Sequence, residues 1–208
     1  MVVTVAIGIN DWEKYTLPLI GSFRAHEFSA PLVIVDNCSD TPYPASGSAI
    51  IARTPQRLSY AAALNYGINH IKGADWYAVM NNDVLIHKPF TERVERLDQH
   101  YIYGFQEHPT DLVNPKAFYQ SGWCMFISGC ALLEVGYFDE AFAPMWFEDA
   151  DYCIRAQKAG FGMRGLDCED WGIEHLAMER KYERERYMRD NNKARKANRE
   201  RLWRKHGV

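Results

Sequence analysis

The sequence lacks long apolar runs, cysteine pairs and any signal sequence, and each absence argues against a class of protein. No apolar run approaches the roughly 20 residues that a transmembrane helix needs. The five cysteines are odd in number and none forms a Cys-x-x-Cys pair, which disfavours both a disulfide framework and a zinc site. Residues 1–8 carry neither the basic n-region nor the cleavage site of a signal peptide. We therefore expect free thiols and a cytoplasmic protein.

Charge is unevenly distributed along the 208 residues, although the net charge is only −3. Residues 176–208 contain 12 basic and 5 acidic side chains, whereas the rest of the chain contains 12 basic and 22 acidic ones. Residues 179–203 have no Gly or Pro and are rich in helix-forming side chains. We predict a globular domain over residues 1–175 and a basic helical extension over residues 176–208.

Short apolar segments alternate with helical patterns in the first half of the chain. The predicted strands cover residues 2–9, 31–35, 49–52 and 76–80, and the predicted helices cover residues 12–26 and 59–71. Pro18 interrupts the first helical pattern, so the helix proper should begin there. A helix at residues 90–99, a strand at 101–105 and a loop at 107–116 are expected to follow. The alternation predicts an α/β fold with a single, mostly parallel twisted sheet flanked by helices.

Polar side chains follow three of the predicted strands. Asn10 comes after the first strand, Asp36 and Asn37 after the second, and Asn82 and Asp83 after the strand at residues 76–80. Ligands of open α/β sheets bind beyond the carboxyl ends of the strands. We therefore expect these side chains to meet at one edge and to bind a nucleotide and a metal ion.

Three carboxylates lie within four residues at Glu148, Asp149 and Asp151, directly after an aromatic-rich segment. Burying such groups requires a partner cation, a hydrogen-bond donor or a proton. One interpretation is the first turn of a helix, where the backbone dipole favours acids. In that helix Asp151 and Arg155 would form an i,i+4 pair. The alternative is a working site, in which like-charge repulsion raises the pKa of Asp149 and suits it to accept a proton.

Three segments together resemble the family 2 glycosyltransferases, which have the GT-A fold. Residues 33–40, Val-Ile-Val-Asp-Asn-Cys-Ser-Asp, are similar to the nucleotide-binding segment of that family. Residues 76–83, Trp-Tyr-Ala-Val-Met-Asn-Asn-Asp, are similar to the strand that ends in its DxD-type metal motif. Residues 136–140 and 147–155, Gly-Tyr-Phe-Asp-Glu and Phe-Glu-Asp-Ala-Asp-Tyr-Cys-Ile-Arg, resemble its acceptor loop and catalytic helix. The resemblance runs from about residue 3 to residue 175.

The resemblance implies an inverting transfer of a sugar from a nucleotide-diphosphate sugar to an acceptor hydroxyl, with Mn²⁺ or Mg²⁺ as cofactor. Asp83 and His175 would be the metal ligands. Asp149 would be the general base. Glu148 would be the base instead if the match to the family motif is shifted by one residue. The residues expected to contact the nucleotide are Ile9, Asn10, Asp36, Asn37, Asn65 and Asn82. Asn65 is expected on the surface of the second helix, together with Tyr60.

The sequence departs from the family pattern in two places. Asn81 stands where many members have an acidic residue, which leaves Asp83 as the only carboxylate of the metal motif. A Q-x-x-R-W motif, typical of processive polymer synthases, is missing after the third segment. The resemblance therefore implies a non-processive hexosyltransferase that adds one sugar per encounter.

Two other function classes and the basic extension remain open at this stage. A nucleotidyltransferase would need a glycine-rich, basic loop after the first strand, where this chain has one glycine and two acids. A non-catalytic binding module for a nucleotide sugar or a polyanion would not need the acid set. The basic extension is either a solvated helix or a docking element for the acceptor. As a docking element it favours an anionic polymer such as nucleic acid over peripheral membrane contact, because its apolar residues are scattered.

Overall fold

The computed structural model describes residues 1–109, 118–176 and 192–207, and strands alternate with helices through its first half. The strands are β1 (Val2–Gly8), β2 (Leu32–Asp36), β3 (Ile50–Arg53) and β4 (Trp76–Asn81). The helices are α1 (Leu17–His26) and α2 (Tyr60–Ile68), and a π-helical turn at Trp12–Thr16 precedes α1. Pro18 lies in the first turn of α1, where its missing N–H costs no helical hydrogen bond.

The second half contains shorter elements, several of which the sequence did not predict. They are β5 (Val84–Ile86), α3 (Thr91–Glu95), β6 (Tyr101–Gly104), β7 (Glu107–Pro109), β8 (Phe118–Gln120), β9 (Cys124–Ser128), α4 (Gly129–Val135), α5 (Glu148–Lys158), β10 (Gly162–Gly165), α6 (Cys168–Trp171), β11 (Ile173–His175) and α7 (Asn192–His206). The helix predicted at residues 90–99 is shorter than expected. The loop predicted at residues 107–116 begins as strand β7, and its residues 110–116 lie outside the described residues.

The main sheet has seven strands in the order β10-β6-β9-β4-β1-β2-β3. β1 pairs in parallel with β2 and with β4, and β2 pairs in parallel with β3. β9 is antiparallel to both of its neighbours, β4 and β6. The α/β, mostly parallel architecture is therefore confirmed. Two small antiparallel sheets, β5 with β11 and β7 with β8, accompany the predicted sheet.

The helices cover both faces of the sheet with apolar side chains. Phe23 of α1 packs on one face with Phe90, and the ring centroids are 6.0 Å apart. Leu64 and Ile68 of α2 pack on the other face. Gly67 allows α2 to approach closely, because a Cβ there would lie 2.4 Å from a methyl carbon of Val5. This tight packing positions the start of α2 beside the carboxyl ends of the central strands.

Helix α7 packs against the domain that precedes it. Leu202 is fully buried against Phe142, Ala150 and Ile154. The helix predicted over residues 179–203 is therefore present from Asn192 and continues to His206, while residues 179–191 lie outside the described residues. The buried contact places the basic extension beside the N-terminal half of α5.

Candidate active site

The polar residues predicted at the strand ends meet at one edge of the sheet. In the parallel register Gly8 lies beside Asp36, and Ile7 lies beside Asn81. The backbone N–H of Asn82 donates to the carbonyl oxygen of Ile7 at 3.1 Å. The carboxyl ends of β1, β2 and β4 thus form one polar edge, as the βαβ pattern predicted.

Asp36 is fully buried at the end of β2 and its carboxylate accepts several hydrogen bonds. The backbone N–H groups of Ser39 and Tyr43 donate at 2.9 and 3.1 Å, and the guanidinium of Arg53 donates at 2.6 Å. Burial disfavours the charged form, but these donors outweigh it and lower the pKa of Asp36. The side chain is therefore a fixed anion that organises the loop after β2.

Asn10 and Asn37 also hold loops at this edge. Asn10 has a left-handed backbone with φ 58°, and its side chain exchanges two hydrogen bonds with Asp40 at 2.7 and 3.0 Å. Asn37 accepts from the N–H of Leu58 at 2.9 Å and donates to the carbonyl of Leu58 at 3.1 Å. Asn10 is exposed and the neighbouring Ile9 is partly exposed, so both border the open side of the edge.

Asn65 and Asn82 are engaged by the protein itself. The Asn65 amide donates to the Phe138 carbonyl and to the Glu140 carboxylate, both at 2.9 Å, and accepts from the N–H of Phe138 at 3.0 Å. The expectation of a surface-facing Asn65 is therefore wrong, because the residue is buried between α2 and the loop after α4. The Asn82 amide donates to the Thr16 hydroxyl at 2.9 Å. Whether these two amides contact a nucleotide stays a prediction.

Asp83 and His175, the predicted metal ligands, lie next to each other. Antiparallel pairing of β11 with β5 puts His175 opposite Val84, and the Nε2 atom of His175 is 3.4 Å from Oδ1 of Asp83. The backbone N–H of Leu176 donates to the Asp83 carbonyl at 2.9 Å and fixes the pair. The imidazole stacks on Trp123 with ring centroids 4.4 Å apart. The aromatic contact and the strand pairing together orient Nε2 toward the carboxylate.

The donor set of this pair fits a divalent cation. Among the described residues Nε2 of His175 is buried and has no hydrogen-bond partner. Two adjacent ligands of an octahedral ion with bonds of about 2.1 Å are about 3 Å apart, which is close to the separation found here. One carboxylate oxygen and one imidazole nitrogen suit Mn²⁺ or Mg²⁺ with phosphate oxygens as further ligands. The part of the chain that the structure describes contains no cluster of three or more His, Cys, Asp or Glu side chains that could hold a metal.

The predicted base carboxylates lie at the N-terminus of α5. Trp146 and Phe147 reach the helix with left-handed backbones, φ 82° and 70°, a conformation that costs free energy in non-glycine residues. The Asp149 carboxylate accepts from the backbone N–H groups of Gly122 at 2.9 Å and Ala150 at 2.8 Å. These contacts aim the side chain at the loop between β8 and β9.

Glu148 is buried beside Asp149. Its Oε2 atom has no hydrogen-bond partner among the described residues. Desolvation, followed by the charge of Asp149, raises the pKa of Glu148 well above its usual range, although backbone N–H groups of Glu148 and Trp146 oppose the shift. The raised pKa that the sequence predicted for Asp149 is thus found at the neighbouring Glu148, and burial is its larger cause. A raised pKa of Asp149 stays a prediction. Asp151, by contrast, forms the expected pair with Arg155, with Nε to Oδ2 at 2.8 Å.

Tyr60 bridges the end of β4 and the loop that contacts Asp149. Its hydroxyl lies 2.7 Å from Oδ1 of Asn81 and 3.1 Å from the Gly122 carbonyl. Burial raises the pKa of Tyr60 well above its usual range, and the negative charges of Glu148, Asp149 and Asp83 add to the rise. The Tyr60 phenol therefore lies within electrostatic reach of Asp83 and of the Glu148 and Asp149 carboxylates.

Comparison with solved structures identifies the architecture. A mannosyltransferase of Pyrobaculum calidifontis, PcManGT in complex with GDP-Man and Mn²⁺, superposes with a TM-score of 0.69 at 14% sequence identity and covers 90% of this chain. This chain has the GT-A glycosyltransferase fold. GalNAc-T7 with UDP, GalNAc and Mn²⁺ matches with a TM-score of 0.69 at 11% identity over 84% of the chain. Staphylococcus aureus TarS residues 1–349 in complex with UDP match with a TM-score of 0.59 at 15% identity over 80%.

The GT-A match covers only part of each neighbour. This chain spans 60% of the mannosyltransferase chain, 43% of the GalNAc-T7 chain and 58% of the TarS chain. No protein-family model and no curated protein sequence matches the chain. Within the described residues, none of the helices has the length and apolar character that crossing a bilayer demands.

Proposed function

We propose that this protein is an inverting glycosyltransferase that moves one hexose from a nucleotide-diphosphate sugar to an acceptor hydroxyl. The observation that carries the proposal is the pairing of Asp83 with His175 at 3.4 Å, with Tyr60 within electrostatic reach of Asp83, Glu148 and Asp149. The GT-A fold supports this assignment, since solved structures with this fold were determined in complex with GDP-Man and Mn²⁺ or with UDP. A nucleotidyltransferase and a non-catalytic binding module are the alternatives. The first would need a glycine-rich, basic loop after β1, where this chain has one glycine and two acids, and the second would not need the acid set.

The donor would lie across the carboxyl edge of β1, β2 and β4. Asp36 and Asn37 shape the loops that receive the base and ribose, and Ile9 and Asn10 border the same opening. We assign Asn65 and Asn82 to the donor site as residues that fix its walls, because their amides are engaged by neighbouring loops. A divalent cation held by Asp83 and His175 would neutralise charge on the leaving diphosphate.

Asp149 is the proposed general base. Two backbone N–H groups hold its carboxylate, which can accept the acceptor hydroxyl proton as oxygen attacks the anomeric carbon. A single displacement of this kind breaks the bond to the diphosphate from the opposite side and inverts the anomeric centre. Glu148 lies beside it, buried and with a raised pKa, and is the second candidate for the base.

The acceptor is proposed to be an anionic polymer such as nucleic acid, bound in part by α7. Apart from Lys205, which pairs with Asp139 and Asp151, the exposed cations of this helix are Lys193, Arg195, Lys196, Arg199, Arg201 and Arg204. Among the described residues none of these six cations has a carboxylate partner. The guanidinium carbon of Arg199 lies over the Trp203 ring, 4.9 Å from its centroid. Cations combined with an aromatic ring suit a phosphate backbone with stacked bases better than a membrane surface, which requires an exposed apolar face.

We further propose that residues 1–175 form the transferase domain and residues 176–208 its extension. Transfer is non-processive in this proposal, because the Q-x-x-R-W motif is missing after residue 155. A cytoplasmic location is proposed because all five cysteines are free thiols. Peripheral membrane contact is the alternative for α7.

A donor screen tests the proposed reaction. The wild-type protein would be incubated with Mn²⁺ and a panel of nucleotide sugars, and released nucleoside diphosphate would be measured with and without excess chelator. We expect release with one donor class, its loss in chelator, and its loss in Asp83→Asn. The matched control is Asp98→Asn, an exposed acid at the start of β6 outside the site, which should behave as wild type. Release that is unchanged by chelator and by Asp83→Asn would overturn the metal-dependent assignment.

A further inference from the structure

Asn198 is a buried polar residue on α7, with only 3% of its surface exposed. Its amide donates to two backbone carbonyls of the loop that precedes α5, Ala143 at 3.1 Å and Met145 at 2.8 Å. A buried amide is costly unless its donors are satisfied. The Asn198 amide therefore stabilises the loop conformation in which both carbonyls face it.

The second of these hydrogen bonds leads directly to the acid pair. The carbonyl of Met145 and the N–H of Trp146 belong to the same planar peptide group. That N–H interacts with the Glu148 carboxyl and opposes the rise in its pKa. Asn198 thus holds one end of the peptide group whose other end faces Glu148.

The same loop contains the left-handed residues Trp146 and Phe147, with φ 82° and 70°. Non-glycine residues keep this conformation only where surrounding contacts enforce it, at a cost of order 1–3 kcal/mol each. Residues 141–149 contain no glycine, the residue that adopts this conformation without strain. The two bonds from Asn198 are among the contacts that stabilise the loop against relaxation to an ordinary backbone.

Helix α7 is held against α5 by polar and apolar contacts. At its C-terminal end the buried Asp151 carboxylate contacts Lys205 at 2.7 Å and His206 at 2.9 Å. Leu202 fills the apolar space between these contacts and Asn198. The anchors fix α7 on α5 itself, so the Asn198 amide has a defined position relative to Glu148 and Asp149.

We propose that Asn198 is a positioning residue for the acid pair, acting through the Met145–Trp146 peptide group. This role deepens the proposed glycosyltransferase function and rests on it. The basic extension then has two faces with separate tasks. Its buried face orients the groups that receive the acceptor proton, and its exposed cations are free to bind the acceptor.

The test compares Asn198→Ala and Asn198→Asp with two controls. Asn198→Asp keeps the shape but replaces both donors with a carboxylate that faces two carbonyl oxygens. Glu200→Ala changes an exposed side chain of α7 that is not among its anchors, and Phe23→Leu destabilises the core on the opposite face of the sheet. The measurements are hydrogen exchange of peptides covering residues 142–149, the donor KM, kcat with acceptor, and the thermal midpoint of unfolding.

We expect both Asn198 variants to exchange faster over residues 142–149 and to lose about 10-fold to 100-fold in kcat, as small misplacements of catalytic groups do. The donor KM should stay within about twofold of wild type, because the nucleotide edge is built from other elements. Phe23→Leu should lower the thermal midpoint at least as much while keeping kcat, and Glu200→Ala should keep both kcat and the exchange rates of the loop.

Two results would overturn the inference. One is unchanged hydrogen exchange over residues 142–149 in both Asn198 variants. The other is a loss of kcat that Phe23→Leu reproduces at equal loss of stability, since that would show a general structural effect. Failure of the proposed function appears differently, as wild-type protein that transfers sugar from no donor. The hydrogen-exchange comparison would still decide whether Asn198 holds the loop.

Discussion

The imidazole of His175 stacks on the indole of Trp123, with ring centroids 4.4 Å apart and planes only 5° from parallel. Trp123 lies just before β9, and His175 ends β11, so the contact joins the main sheet to the small β5–β11 sheet. It leaves Nε2 of the ring 3.4 Å from the Asp83 carboxylate. Trp123 thus supports the proposed metal ligands from a segment that contains neither of them.

Trp123→Leu should weaken binding of Mn²⁺ without removing a ligand. Groups that orient a metal ligand typically contribute 10-fold to 100-fold in affinity, and we expect a loss of about 10-fold here. Titration calorimetry with Mn²⁺ in the presence of nucleoside diphosphate measures the effect. Trp203→Leu on α7 is the matched control and should bind Mn²⁺ as wild type does. Equal affinity in the two variants would refute the supporting role.

Asp149→Asn should reduce turnover by at least about 10²-fold while donor affinity is kept. The substitution preserves the shape of the side chain and removes the proton acceptor, and general-base catalysis commonly contributes this much. Glu148→Gln is the matched comparison, and a smaller loss is expected from it. Steady-state kinetics with saturating donor distinguish the two. If Glu148→Gln is the more damaging change, Glu148 is the base and the roles of the pair are exchanged.

Asp36→Asn should destabilise the protein at neutral pH and much less in acid. The folded-state pKa of Asp36 is lowered, so its contribution is present above the unfolded value of about 3.9 and is lost as pH falls through the folded value. The loss at pH 7 should be on the order of 2 kcal/mol, as for hydrogen bonds to a buried charge. Urea unfolding from pH 7 to pH 3 measures the gap between variant and wild type.

The control for this pH series is Glu134→Gln, which changes an exposed acid on α4. It should leave the free energy of unfolding close to wild type at every pH. A gap between Asp36→Asn and wild type that stays constant from pH 7 to pH 3 would contradict the assignment. Such a gap would mean that packing, and not the charge of Asp36, stabilises the loop after β2.

Most of the polar edge at the strand ends could be predicted from the sequence, because it follows from strand order. Buried parallel strands bring their carboxyl ends to one edge, so Asp36, Asn82 and Asp83 had to lie near one another. Asp83 and His175 could be paired only through the family resemblance. Strands β5 and β11 that join them have three residues each, too few for a periodic signal.

The roles of polar residues inside helices could not be predicted. Asn65 lies in α2 and Asn198 in α7, and a polar residue within a helix is normally assigned to the surface. Both are buried because their amides satisfy loop carbonyls that are remote in sequence. Trp123 was missed for a related reason, since an aromatic residue beside an apolar strand gives no signal beyond core packing.

The exposed cations of α7 should bind a nucleic-acid acceptor in a salt-dependent manner. Each neutralised phosphate releases counterions, and the logarithm of the binding constant falls with a slope of about 0.7 per contact for single strands. Because α7 has the buried Leu202 and Asn198, removing the helix would disturb the domain, and substitution of exposed residues is the cleaner test. Lys193→Gln combined with Lys196→Gln should lower the slope by about one contact or more.

A fluorescent single-stranded oligonucleotide is the probe for this last prediction, and anisotropy would be followed across a salt series. Lys72→Gln combined with Arg96→Gln is the matched control, because it removes the same charge from exposed positions away from α7. Only the α7 variant should show the reduced slope, and nucleoside diphosphate release from the donor alone should be the same in both. Equal slopes for the two variants would leave α7 without a role in acceptor binding. Binding to anionic vesicles but not to the oligonucleotide would assign the cations to a membrane surface instead.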